Sequence, residues 1–94
     1  MLFVDAVGST QLAAQIGDSR FRELIEGFHQ LVGRQLDRYQ GRLADTAGDG
    51  ALAVFDSPAR AIACAEAVRD GVRALGLQVR AGVHTGGDGA RPGR

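Results

Sequence analysis

The chain begins with an unbroken apolar run, Met1-Leu2-Phe3-Val4, closed by Asp5 and Ala6. A short run that stops at a carboxylate predicts a buried strand over residues 2–6. Leu12, Ala13 and Ile16 then mark a short helix over residues 10–16. Gly17-Asp18-Ser19 breaks that pattern, and Asp18 or Ser19 suits the cap of a second helix. Phe21, Leu24, Ile25, Phe28, Leu31, Val32, Leu36 and Tyr39 recur at three- and four-residue spacing. This is the strongest helical signal in the chain. Gly27 and Gly33 lie inside it, each costing about 1 kcal/mol against alanine; Gly33 is read as a point of close packing, and Gly41 as the residue just past the helix end.

Two short runs, 42–47 and 51–55, flank Gly48-Asp49-Gly50. Asp-Gly between strand-like runs predicts a hairpin. Simple alternation puts Leu43, Asp45 and Ala47 on one face of its first strand, with Ala44 and Thr46 on the other. Ser57-Pro58 has the form of a helix start, serine capping and proline in the first turn. Ala61, Ile62, Ala65, Val68, Val72 and Leu75 form the expected core stripe of that helix, and Gly76 ends it. Leu77 to His84 read as a last strand. The remainder, Thr85 to Arg94, is rich in glycine and is predicted to be disordered. The order β-α-α-β-β-α-β predicts an α+β fold: a ferredoxin-like antiparallel sheet with helices packed on one face. Neither a repeat nor a linker is visible, so residues 1–86 read as one domain and 87–94 as a flexible tail.

Composition narrows the function more than the fold. The chain has 94 residues, 45% of them hydrophobic, and a formal net charge of zero. A neutral chain gives no reason to expect a nucleic-acid or anionic-membrane partner. Its apolar runs are far shorter than the ~18 residues of a membrane span, and the N-terminus lacks the basic region of an export signal. With a single cysteine, Cys64, no internal disulfide can form, and a cytoplasmic setting is expected. Every basic residue is arginine, so no Walker-type lysine is available to reach a phosphate.

The candidate chemistry lies at Asp5-Ala6-Val7-Gly8-Ser9-Thr10. A strand-end carboxylate, a small-residue turn and a helix N-terminus together suit a metal ion and a phosphate. Asp5 offers hard oxygen ligands for Mg²⁺. The amides of Val7, Gly8, Ser9 and Thr10 can face phosphate oxygens, favoured by the helix dipole. The blander alternative is that Ser9 or Thr10 merely caps the helix and Gly8 makes the turn. Asp49 at the hairpin tip supplies a second carboxylate. In a ferredoxin-like sheet the first strand lies beside the hairpin, so Asp49 comes near Asp5. Two carboxylates beside a phosphate turn suit a two-metal site, which clamps the attacking and leaving oxygens of a phosphoryl transfer.

These stretches resemble the catalytic domain of class III adenylyl and guanylyl cyclases of the bacterial type. The matching residues are Phe3-Val4-Asp5-Ala6-Val7-Gly8-Ser9-Thr10, Gly41-Arg42, Thr46-Ala47-Gly48-Asp49-Gly50, Ala53-Val54-Phe55-Asp56-Ser57-Pro58 and Gly82-Val83-His84-Thr85-Gly86. The resemblance implies conversion of ATP or GTP to the 3′,5′-cyclic nucleotide and pyrophosphate in cyclic-nucleotide signalling. It implies two Mg²⁺ (or Mn²⁺) ions held by Asp5, Asp49 and the Ala6 carbonyl. Val7 to Thr10, with Gly48, would cradle the triphosphate. Sites of this family form between two domains, which implies a homodimer or a heterodimer with another cyclase domain.

Two departures bear on activity. Many adenylyl cyclases have a lysine three residues before the glycine of the Gly-Asp turn, where it reads adenine. Here Asp45 stands there. A carboxylate only accepts hydrogen bonds at neutral pH, which shifts base choice toward guanine or relaxes it, unless Asp45 simply faces solvent on an edge strand. Family members also continue past the His-Thr-Gly strand, into the second base-reading residue and the asparagine and arginine that stabilise the transition state. The expectation is therefore little or no turnover by this polypeptide alone. A degenerate cyclase-homology domain, binding Mg²⁺-nucleotide or a partner without chemistry, is the alternative. The other candidates read as structural: His84 in the last strand, His29 as a partly exposed surface histidine, Cys64 as a packed thiol, Tyr39 capping the core with its hydroxyl in water. Arg20, Arg22, Arg34 and Arg38 are expected on the solvated face of the long helix.

Overall fold

The computed structural model of the chain describes residues 1–84. Thr85 to Arg94, and with them the predicted tail and the end of the His-Thr-Gly match, lie outside the described residues. The elements are β1 (Leu2–Ala6), α1 (Ser9–Ile16), α2 (Asp18–Arg38), β2 (Arg42–Ala47), β3 (Gly50–Val54), α3 (Pro58–Leu75) and β4 (Val79–Val83). The sheet order is β2-β3-β1-β4, and every neighbouring pair is antiparallel. β1 and β2 thus run parallel with β3 between them, and β3 and β4 run parallel with β1 between them. These interleaved units make the ferredoxin-like α+β topology expected from the element order.

Alternation along β1 decides which face is covered. Leu2, Val4 and Ala6 are buried, whereas Phe3 is 47% exposed and Asp5 half-buried. Leu2 and Val4 pack in one core with Phe28, Leu31, Val32 and Leu36 of α2 and Cys64, Val68 and Val72 of α3. No polar or charged side chain among the described residues is fully buried, so apolar burial carries stability, at about 1.5–3 kcal/mol per large side chain. Gly71 lets α2 and α3 approach: a Cβ there would sit 2.9 Å from the Leu31 side chain. Gly33, read above as the close-packing glycine, has open space where its Cβ would be. Ile62 also departs from expectation. It is 49% exposed, and the buried stripe of α3 runs through Ala61, Cys64, Val68 and Val72 instead.

Both long helices end in the same hydrogen-bonded wrap. In α3, the Leu77 N–H donates to the Val72 carbonyl (3.1 Å) and the Gly76 N–H to Arg73 (3.1 Å), with Gly76 left-handed at φ 83°. In α2, the Gly41 N–H donates to Leu36 (2.8 Å) and the Gln40 N–H to Asp37 (3.4 Å). Here the left-handed residue is Gln40, at φ 62°. Gly41, one place further on than expected, is required for space: a Cβ would lie 2.5 Å from the Phe55 ring. Ser57 caps α3 as predicted, its Oγ accepting from the Arg60 N–H at 3.4 Å. The last strand starts at Val79, later than expected, because Leu77 closes α3.

Candidate functional site

Three backbone segments meet at the C-terminal end of β1. Asp5 is in register with Gly50 of β3 on one side and Arg80 of β4 on the other. The Ala6 N–H donates to the Asp49 carbonyl at 3.0 Å, and the Val7 N–H donates to the Gln78 carbonyl at 2.9 Å. The hairpin tip is thereby fixed to the strand that carries Asp5. Gly8 then turns the chain at φ 68°, ψ 27° and stands as the N-cap of α1, with no side-chain cap. Its carbonyl accepts from the Leu12 N–H at 3.0 Å. Ser9 and Thr10 are helical residues and not caps, against the simpler sequence alternative. The amides of Gly8, Ser9, Thr10 and Gln11 have no backbone partner among the described residues, as expected of a first helical turn. Val7 differs from the predicted cradle: its N–H is already bonded to Gln78.

The carboxylates around this junction take different sides. Asp5 lies on the open face of the sheet, in a hollow it shares with Asp45, Gly50 and Leu52. Asp49 lines a separate hollow with Gly48, Asp18, Phe21 and Arg22, where the hairpin tip meets the start of α2. Asp5 and Asp49 are adjacent in backbone, then, and line two different hollows at one tip. Asp45 reaches the open face through an irregularity. Leu43 pairs with Ala53, Asp45 with Leu52 and Thr46 with Ala51, so the register slips across Ala44. A bulge of this kind moves the following side chains to the other face. Leu43 and Thr46 consequently share the α2 side, and Asp45 faces the Asp5 side, which corrects the simple alternation read from the sequence. The Asp45 Oδ1 accepts from the Thr46 N–H at 2.8 Å, which holds the carboxylate at the bulge.

No cluster of three or more histidine, cysteine, aspartate or glutamate side chains occurs among the described residues. Two carboxylates and a carbonyl, all hard oxygen donors, do not make a closed cage. They suit Mg²⁺, which keeps waters and takes substrate phosphates beside one or two carboxylates.

Arg80 escaped the sequence reading. It sits directly across from Asp5, on the open face and exposed to solvent. Its only sequence signal is alternation in β4, which places Gln78, Arg80 and Gly82 on one face; the register that sets it beside Asp5 is a property of the folded sheet. Next along, Phe3 faces Gly82, where a Cβ would come 2.4 Å from the Phe3 ring. The ring occupies the space a side chain would fill. Among the structural candidates, Cys64 is fully buried, and burial pushes its thiol pKa up. Tyr39 is half-buried with the Arg38 guanidinium 5.5 Å from its ring centroid. The His84 N–H donates to the Met1 carbonyl at 2.8 Å, extending the β1–β4 ladder.

No family model matches the chain. An uncharacterized protein of Mycobacterium tuberculosis, Rv1319c, is 36% identical over 90 residues, covering 88% of this chain and 17% of the relative. Adenylate cyclase 2 of Rhizobium meliloti is 35% identical over 68 residues, covering 72% of this chain and 18% of the relative. The chain spans about a sixth of the length of the curated relatives it matches. Among solved structures, a bacterial light-regulated adenylyl cyclase superposes with a TM-score of 0.79 at 17% identity, covering 86% of this chain and 49% of that one. The adenylyl cyclase CyaB from P. aeruginosa superposes with a TM-score of 0.76 at 18% identity, covering 86% and 52%. The fold of residues 1–84 is accordingly that of bacterial adenylyl cyclase domains. No helix among the described residues is long and apolar enough to cross a membrane.

Proposed function

We propose that this chain forms part of a class III nucleotidyl cyclase domain that binds a nucleoside triphosphate with Mg²⁺ (or Mn²⁺) and turns it toward the 3′,5′-cyclic product. The observation that carries the reading is the junction at the end of β1. Asp5, the hairpin tip bearing Asp49 and the Gly8 turn into α1 are tied together by the Ala6-to-Asp49 and Val7-to-Gln78 bonds. Asp5, Asp49 and the Ala6 carbonyl would hold the metal ions. The amides of Gly8, Ser9 and Thr10, with the Gly48 backbone, would receive phosphate oxygens. Arg80 would add positive charge on the same face. In the cyclisation, the ribose 3′-oxygen forms a bond to the α-phosphorus, the bond from that phosphorus to the β-phosphate oxygen breaks, and pyrophosphate leaves with the electron pair. The 3′-hydroxyl proton passes to solvent or a base. Bound Mg²⁺ supplies charge neutralisation and an acidified hydroxyl.

Asp45 would accept hydrogen bonds from a base edge: guanine N1–H and N2–H₂, or the adenine amino group. The partner is a second cyclase domain, from the same chain or another. One observation favours a second reading, a degenerate domain that binds nucleotide or a partner without turnover: Asp5 and Asp49 line different hollows. Nucleotide binding, with or without turnover, predicts a metal at the junction. Mn²⁺ added with a non-hydrolysable ATP analogue should broaden the amide NMR signals of Asp5, Ala6 and Gly48 to Gly50 before any others. Broadening centred elsewhere would remove the site.

A further inference from the structure

The sheet has two edge strands, β2 and β4, and they are built differently. An open edge offers a row of unpaired N–H and C=O groups to any further strand, so proteins commonly blunt it with charge, proline or a bulge. β2 is blunted in this way. It slips register across Ala44, carries Arg42 and Asp45, and has its Thr46 N–H taken up by the Asp45 carboxylate. β4 is not blunted. Val79-Arg80-Ala81-Gly82-Val83 pairs with β1 in unbroken register, with no proline and one charged residue.

The β1–β4 ladder shows which groups β4 leaves free. The Met1 ammonium donates to the His84 carbonyl, the His84 N–H to the Met1 carbonyl, and the Val7 N–H to the Gln78 carbonyl. Bonded and non-bonded pairs alternate along an antiparallel ladder, so Phe3 with Gly82 and Asp5 with Arg80 are bonded pairs as well. Val79, Ala81 and Val83 therefore turn their N–H and C=O groups away from β1. None of the three has a backbone partner on that outer side among the described residues. Their side chains belong to the covered side of the sheet. Ala81 is nevertheless exposed, although it pairs with the buried Val4. α3 thus stops short of this edge and leaves room for another strand.

We propose that β4 docks against β4 of a second copy of this chain, antiparallel and centred on Ala81. This is the register that uses every free group: Ala81 bonds with Ala81 of the second copy, and Val79 with Val83 of that copy. Centring on Arg80 would leave Val83 without a strand partner and set two guanidiniums opposite each other, which is unfavourable. Centring on Ala81 places Arg80 opposite Gly82 of the second copy instead. The Phe3 ring occupies the space beside Gly82, so each guanidinium comes to an aromatic ring of the other chain, a favourable cation–π contact. Phe3, 47% exposed, and the exposed Arg80 both gain a cover. On the other side of the sheet the facing residues are all apolar. The contact is self-complementary, as a two-fold interface must be. It uses neither metal nor nucleotide and so does not rest on the cyclase reading. A strand of five residues buries less than the roughly 1,200 Å² of a standard interface, which makes a weak dimer, with a Kd on the order of 100 µM, the expectation.

The test is sedimentation of the whole chain, without metal or nucleotide, from about 10 µM to about 1 mM, with backbone NMR signals followed over the same range. Reversible dimerisation is expected, with the largest concentration-dependent amide shifts at Val79, Ala81 and Val83. In a mixture of differently labelled chains, the Arg80 Hα should show an intermolecular NOE to the Gly82 Hα, since non-bonded pairs bring the α-carbons closest. Ala81→Lys, at an exposed position, sets two ammonium groups opposite each other and should weaken the dimer at least about tenfold. Should that variant not fold, Ala81→Pro removes an N–H that the single chain does not use, and the same loss is expected. A monomer at the highest concentration, or a dimer untouched by the folded variant, overturns the proposal. So does an Ala81 amide protected from exchange in the monomer, which would mean that residues beyond His84 take the edge themselves.

Discussion

The two faces of the sheet are built from alternate residues of the same strands, and they do different work. On the covered face, Leu2, Val4, Ala51 and Ala53 are at most 9% exposed and meet α2 and α3. On the open face, Phe3 is 47% exposed, and Asp5, Asp45 and Arg80 supply the charges. One residue of shift would exchange the two sets. Stability therefore resides in one face and the candidate chemistry in the other, and each can be altered without the other.

The sharpest attack on this division is to empty the covered face. Phe28→Ala, at a fully buried position, should cost about 3–5 kcal/mol, read as a fall in the urea midpoint. A loss below about 1 kcal/mol would mean that the core lies elsewhere. On the open face, Asp5→Asn should weaken Mg²⁺-dependent nucleotide binding by at least about tenfold, yet leave the melting free energy within about 0.5 kcal/mol. If stability falls with binding, the faces are not separable. Gly41→Ala tests the turn that leads from α2 into the hairpin; its Cβ would meet the Phe55 ring at 2.5 Å, and overpacking there should cost about 1–3 kcal/mol. Gln40→Gly should do the reverse. It relieves a left-handed side-chain residue and is expected to gain about 1 kcal/mol, detectable by thermal melting.

The covered face was legible in the sequence because burial imposes a period. Three-to-four spacing in α2 marks Phe28, Leu31, Val32 and Leu36, whereas the unbroken apolar run of β1 marks a strand without saying that Phe3 is left uncovered. The hairpin was legible from Gly48-Asp49-Gly50, since few residues tolerate that turn; Gly48 is indeed left-handed, at φ 52°. What the sequence concealed depends on register. The slip at Ala44, which moves Asp45 to the open face, leaves no mark in hydropathy. Arg80 gains its place beside Asp5 only through the β1–β4 pairing. Gln40 likewise shows how context overrides preference. Gly41 sits next to it, but the Phe55 ring takes the space beside Gly41, and the left-handed turn falls on the glutamine.

A single metal-nucleotide site at the end of β1 and the hairpin tip requires both Asp5 and Asp49. Calorimetric titration of the chain with non-hydrolysable ATP and GTP analogues, with and without Mg²⁺, tests it most directly. Binding that requires Mg²⁺ and is lost in Asp49→Asn is expected, with the tighter analogue reporting what Asp45 reads. Binding that is equal without Mg²⁺, binding untouched by Asp49→Asn, or no binding of either analogue at millimolar concentration would contradict it.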